Sequence, residues 1–381
     1  MRSGRYLLVL GATAVLSLAA VWLFVAAAPL AFLDPEYPYW QAKLDLLHRC
    51  DLGTVLVVGD SRAAVDIIPA RLGIAASNLA VGGGEAIEAY AAVRRALACP
   101  EPPRRVIVSI DAGHFVRPDL FWDRTVRYGF LDPTDLRELG AVSEKLGDVS
   151  LLDQKRGDGL PRGLRATLYA WRFPGLYFGS LLRGGVVARW WGNSAALAAG
   201  IAARGQYFFG TAAGSDAVAI EGHLDEFTPL PVLDAYFDRA LALLAARRIP
   251  VDFIAMPLNQ ETALAVRPAL RVGFAAYLAG YAARYANFHI LGPLLPAWDD
   301  AWFGDEFAHL NPAGAALFSA RLGDCLRARL DNGESDDCAA LDQPRLQAAP
   351  PSTQNDAQWG WFNGTGRDAS ASVAPSSKRG S

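Results

Sequence analysis

The chain has 381 residues, 52% of them hydrophobic and 20% charged, with a formal net charge of −3. That composition suits a globular protein with a sizeable core, in one large domain or two small ones. The near-neutral balance gives no reason to expect a nucleic-acid partner, and scattered histidines without CxxC or HExxH spacing give a metal site no support.

The first element is the uncharged run at 6–32, YLLVLGATAVLSLAAVWLFVAAAPLAF. It exceeds the roughly 20 residues that a helix needs to cross a bilayer. Arg2 and Arg5 precede it, and basic residues stay on the cytoplasmic side. Residues 1–32 therefore read as a cytoplasmic N-terminus and an uncleaved single-pass anchor in the inner membrane, with the remainder exported to the periplasm. A cleaved secretory signal is the rival, because VAAAP offers small residues. A secretory apolar core has only about 7–15 residues, however, and Pro29 sits awkwardly for cleavage after Ala28.

Residues 33–52 read as a link with a short amphipathic helix, WQAKLDLLHRC. A domain over 53–338 follows, in which strands and helices alternate. TVLVVGD is a buried strand and SNLAV a second, short one; EAIEAYAAVRRALAC is a helix and RRVIVSID the third strand. ALALLAARRI is a helix, PVDFIAMP the fourth strand, FAAYLAGYAARYA a helix and NFHILGP the fifth strand; PAGAALFSARLGDCLRARL closes the domain. Near-continuous apolar strands alternating with helices predict an α/β fold, its mostly parallel five-stranded sheet covered on both faces.

Between about 116 and 228 the alternation breaks in a stretch rich in aromatics, arginine and glycine. Such an insertion is a lid, a binding surface or extra helical cover, and its Trp and Arg also suit a membrane interface or a membrane-protein partner. Residues 339–381 are rich in Pro, Ser, Gly and Ala, the composition of a disordered tail, with WGWF as its one sticky patch.

In an exported domain the four cysteines are disulfide candidates. Cys50 and Cys99 each shortly precede a strand, and if those strands are parallel neighbours they share one sheet edge. Cys325 and Cys338 then form a local pair after the last helix.

Two stretches carry candidate chemistry. In VLVVGDSRAAV, Ser61 sits where a buried strand turns into a helix, the edge at which open α/β sheets place ligands. In FGDEFAHLNPAG, His309 stands in a polar loop before a helix, with Asp305 and Glu306 just upstream. A serine, a histidine base and a carboxylate that orients it are what nucleophilic acyl chemistry requires. Either acid could reach the distal imidazole nitrogen. Arg62 could orient an acyl or anionic sugar group, or pair with a surface carboxylate. His114 follows the third strand and is assigned a structural role over a cleft-lining one; Asn259 follows the fourth strand at the same edge.

Over roughly 50–330 the sequence resembles the SGNH (GDSL-like) hydrolase superfamily. Gly59-Asp60-Ser61-Arg62 looks like the first family block, with Arg in place of the usual Leu, NLAVGGGE like the second and DEFAH like the last. The resemblance implies a flavodoxin-like three-layer sandwich, a Ser-His-Asp triad and Gly83 as a backbone oxyanion donor. The third block appears as Ser109-Ile110-Asp111-Ala112, so Asp111 stands where the family has an oxyanion-binding Asn; a carboxylate accepts and does not donate, and Asp111 is expected only to line the site. The anchor and insertion resemble membrane-anchored polysaccharide O-acetylation and teichoic-acid D-alanylation proteins. That implies acyl transfer to a polysaccharide hydroxyl beside a membrane-bound O-acyltransferase, without a cofactor. The alternatives are an esterase releasing the acyl group to water, and an inactive scaffold or carbohydrate-binding subunit.

Overall fold

The computed structural model describes residues 2–118, 120–153, 160–183 and 185–332, together with Cys338 and Leu341. Helix α1 (Arg2–Ala27) is followed by α2 (Tyr37–His48), β1 (Val55–Gly59), α3 (Ser61–Asp66), β2 (Ala76–Asn78), α4 (Ala86–Ala96), β3 (Arg105–Ser109) and α5 (Ala112–Val116). The insertion carries α6 (Pro133–Leu146), α7 (Arg162–Ala170), α8 (Phe178–Leu182) and α9 (Val186–Ala202). The chain then returns through α10 (Pro231–Ala246), β4 (Val251–Ile254), β5 (Leu258–Asn259), α11 (Gln260–Ala265) and α12 (Pro268–Arg284). It ends with β6 (Phe288–Leu291), β7 (Ala297–Trp298) and α13 (Pro312–Asn332).

Five strands form one parallel sheet in the order β2-β1-β3-β4-β6. The chain leaves β1 for β2 on one side and then crosses to β3 on the other, so the connections diverge between β1 and β3. In doubly wound sheets such a switch point opens a crevice at the carboxyl ends of the strands. The strands form because Val55–Val58 and Val106–Val108 are runs of apolar, mostly β-branched residues that pack well on a pleated surface. Successive side chains point to opposite faces. Leu56, Val58, Val106 and Val108 join one apolar cluster with residues of α4 and α10, while α3 packs on β1 and against α13.

Residues 33–52, expected as a link, are part of this packing. Tyr37, Trp40, Leu46 and Leu47 of α2 are buried in the same cluster. The fully buried Lys43 donates to the carbonyls of Asn78 and Gly205, at 3.1 and 2.5 Å. The apolar face of α2 is too large to leave in water, and the insertion supplies its other wall through α9. Two disulfides, Cys50–Cys99 and Cys325–Cys338, staple the fold. The first follows from parallel pairing of β1 with β3, which brings the residues before both strands to one edge, with Cα atoms 5.5 Å apart. A small second parallel sheet, β5 with β7, lies outside the five predicted strands. The tail expected over 339–381 lies outside the described residues, Leu341 apart.

Candidate functional site

The site is assembled where β1 and β3 end. Gly59 has φ +150°, and a Cβ there would overlap the Ser109 carbonyl oxygen, so only glycine lets the two strand ends approach this closely. Asp60 then caps α3: its Oδ1 accepts the N–H groups of Arg62 (2.9 Å) and Ala63 (3.3 Å). Its Oδ2 accepts the Asp111 N–H at 2.6 Å, tying the turn after β1 to the turn after β3. Ser61 is thereby held as the first residue of α3.

The second half comes from the loop between the short helical turn at Asp300–Trp302 and α13. Gly304 N–H donates to the His309 carbonyl (2.8 Å) and Asn311 N–H to the Trp302 carbonyl (2.8 Å), closing the loop at its base. Asp305 Oδ1 accepts the N–H groups of Phe307 (2.9 Å) and His309 (3.2 Å), leaving Oδ2 free to face the ring. The chain turns through Ala308, a non-glycine residue at φ +59°. From α3, Asp66 Oδ1 accepts the Leu310 N–H at 2.9 Å and fixes the loop against the serine helix.

The result is a linear relay. His309 Nε2 lies 2.8 Å from Ser61 Oγ, and His309 Nδ1 lies 2.6 Å from Asp305 Oδ2. Burial raises the Asp305 carboxyl, but the His309 charge and hydrogen bond and two backbone N–H groups outweigh it and hold the carboxyl below its ordinary range. Glu306, the other candidate acid, is exposed and makes no such contact. The acid beside the imidazole is Asp305, because the loop's own turn is wrapped around that side chain.

The insertion completes the walls. Phe209 stacks on the His309 ring, centroids 4.9 Å apart. Gly210 passes so close to Gly304 and Asp305 that a Cβ on it would overlap both. Arg62, left open between orienting a substrate and pairing with a surface carboxylate, is buried and forms a two-pronged pair with buried Glu221 of the insertion, at 2.8 and 2.7 Å. Its guanidinium is consumed by that carboxylate, so it braces the serine turn and does not face a ligand. Asp111 is likewise engaged. Its Oδ1 accepts the His114 N–H (2.9 Å), its Oδ2 lies 2.8 Å from His114 Nδ1, and Arg62 Nη1 is 3.9 Å away. Burial works to raise the Asp111 carboxyl, yet His114 and Arg62 together hold it far below the usual range. It stays ionised and turned toward its partners. Asn259 is also withdrawn from any ligand: fully buried, it caps α11 and donates to the carbonyls of Ser215 and Ala217, at 3.0 and 2.8 Å.

Gly83 lies in the loop after β2, in the left-handed region at φ +66°. That loop is held to the end of β1 by the Val81 N–H, which donates to the Gly59 carbonyl at 3.0 Å. Among the described residues, the N–H groups of Gly83 and Ser61 donate to no protein acceptor. Asp60, Asp111 and His114 each place one potential metal-ligating atom within 4.8 Å of the others. Those carboxylates already accept backbone N–H groups and the His114 ring, with the Arg62 guanidinium alongside, so a cationic partner for them is built into the protein. Glu221, Phe209 and Asp66 were not singled out from the sequence. Only Asp66, an acid inside the apolar run AAVDII, carried a local signal.

Comparison with family models, with curated proteins and with solved structures finds no match to this chain.

Proposed function

We propose that this protein is a membrane-anchored, extracytoplasmic serine acyltransferase of the SGNH-like type, with a flavodoxin-like sandwich as its catalytic domain. It moves an acyl group, acetyl being the simplest, onto a hydroxyl of an exported polysaccharide, with a membrane-bound O-acyltransferase as its donor-side partner. The observation that carries this reading is the Ser61–His309–Asp305 relay, with both contacts at hydrogen-bonding distance.

Asp305 accepts a hydrogen bond from His309 Nδ1–H and so fixes the tautomer that leaves Nε2 as the base. Ser61 Oγ attacks the donor's acyl carbon as its proton passes to Nε2. The oxyanion takes the N–H groups of Ser61 and Gly83, since Asp111, an ionised acceptor, cannot serve as the third donor. Collapse breaks the bond to the donor oxygen, which receives the proton from His309. An acceptor hydroxyl then gives its proton to His309 and attacks the acyl-Ser61 carbonyl; collapse breaks the bond to Ser61 Oγ, which takes that proton back from His309.

Turnover of p-nitrophenyl acetate with and without oligosaccharide tests this. Transfer predicts acetylated oligosaccharide and acceptor-dependent rate. Acetate release insensitive to acceptor would instead make the protein an esterase.

A further inference from the structure

The insertion presents an apolar face that the acyl chemistry does not use. Trp171 (64%), Phe178 (60%), Leu182 (68%), Val187 (71%) and Trp191 (70%) are all strongly exposed, and Trp190 joins them. Monomeric proteins seldom show so many large apolar side chains together without a partner.

The position of this face along the chain is readable from contacts. A Cβ on Gly200 of α9 would touch Ala42 and Tyr39 of α2. Seven residues earlier, Asn193 donates to the carbonyls of Leu30 and Leu33, at 2.9 and 3.0 Å, and Arg189 donates to Leu33 at 3.1 Å. Moving toward the start of α9 therefore means moving back along the chain toward α1. Within Val186–Trp191, Arg189 reaches Leu33, in the turn that follows that helix. Independently, the Trp22 indole N–H in α1 donates to the Trp171 carbonyl at 2.7 Å, and its ring meets Phe173 edge-on at 5.5 Å. The Trp171 end of the patch meets the last turns of α1, and the α9 end meets the turn that follows them.

The polarity of α9 is also inverted. Its polar residues Arg189 and Asn193 turn inward to backbone carbonyls, while Val186, Val187, Trp190 and Trp191 turn outward. A face against water has the opposite arrangement. Tryptophan at the level where a spanning helix leaves the bilayer matches the preference of its amphipathic ring for the headgroup zone.

We infer that the α7–α9 face of the insertion lies in the interfacial layer of the bilayer that holds α1, a second membrane contact that seats the domain on the lipid surface. This rests on the reading of α1 as a membrane span. The full-length protein, reconstituted in phosphatidylcholine–phosphatidylglycerol vesicles, is compared with lipid brominated near the headgroup end of the acyl chains and without it. Bromine quenches tryptophan only on contact. Wild type, W171F/W190F/W191F and W22F are measured side by side, with circular dichroism confirming the fold. The triple variant should lose most of the quenchable emission and W22F a smaller part. If W22F reports Trp22 in lipid while the triple variant quenches like wild type, the interfacial contact is wrong and α1 still spans. If neither variant alters the quenching, the membrane span itself fails.

Discussion

Among single residues, the contact between His309 and Asp305 is set by one loop. Asp305 spends one carboxylate oxygen on two N–H groups of its own loop and offers the other to His309. That wrapping requires the left-handed turn at Ala308, a conformation that costs an alanine roughly 1 kcal/mol. A positive φ at an alanine leaves no mark in sequence, so spacing alone left Asp305 and Glu306 equal. Asp305→Asn should lower turnover by about three to four orders of magnitude, by loss of the imidazole tautomer. Glu306→Gln should leave turnover within about twofold, as for a surface change. Equal losses in steady-state rates would show that the acid has been misassigned.

Asp111 gives a pH signature. Its carboxyl is held far below 3.8 in the fold, so it stabilises the native state fully above that pH, and the contribution fades as pH falls below it. Asp111→Asn should cost roughly 2 kcal/mol at neutral pH, because charged hydrogen bonds to His114 are lost. The deficit should shrink below about pH 4, where the unfolded wild-type chain takes up a proton at Asp111 that the native state does not. Denaturant melts across pH check this, and a deficit constant down to pH 2 would contradict the assigned ionisation.

At the scale of elements, the main strands were legible because each is a near-continuous apolar run bounded by Gly, Pro or Asp. Ser61 and His309 were legible for a related reason: both stand where an apolar element gives way to a polar loop. The two-residue strands β5 and β7 were not, being too short to show a period. Nor was the role of the insertion, whose long-range contacts have no local pattern. It reaches the site through Glu221, which pairs with the residue after the serine, and through Phe209 and Gly210 beside His309 and Asp305. For the same reason the sequence left Arg62 open between orienting a substrate and pairing with a carboxylate, its partner lying 159 positions away. Glu221→Ala leaves a buried guanidinium uncompensated and should destabilise the protein by about 3–5 kcal/mol. It should also slow labelling of Ser61 by a fluorophosphonate. An unchanged melting temperature would mean that the insertion is not braced to the site.

At the scale of the whole molecule, the parts serve one placement. The strand order puts the switch point between β1 and β3, the Cys50–Cys99 disulfide staples the opposite edge of the same two strands, and the insertion contacts both the site and the last turns of α1. Two disulfides suit the oxidising compartment that an exported domain would occupy. The proposed chemistry requires that Ser61 become acylated. Intact-protein and peptide mass spectrometry after brief exposure to p-nitrophenyl acetate, quenched in acid, tests this directly. One acetyl adduct is expected, mapped to the peptide containing Ser61, absent from Ser61→Ala and much reduced in His309→Ala. An adduct that persists in folded Ser61→Ala, or no adduct in folded wild type that a fluorophosphonate also fails to label, would contradict it.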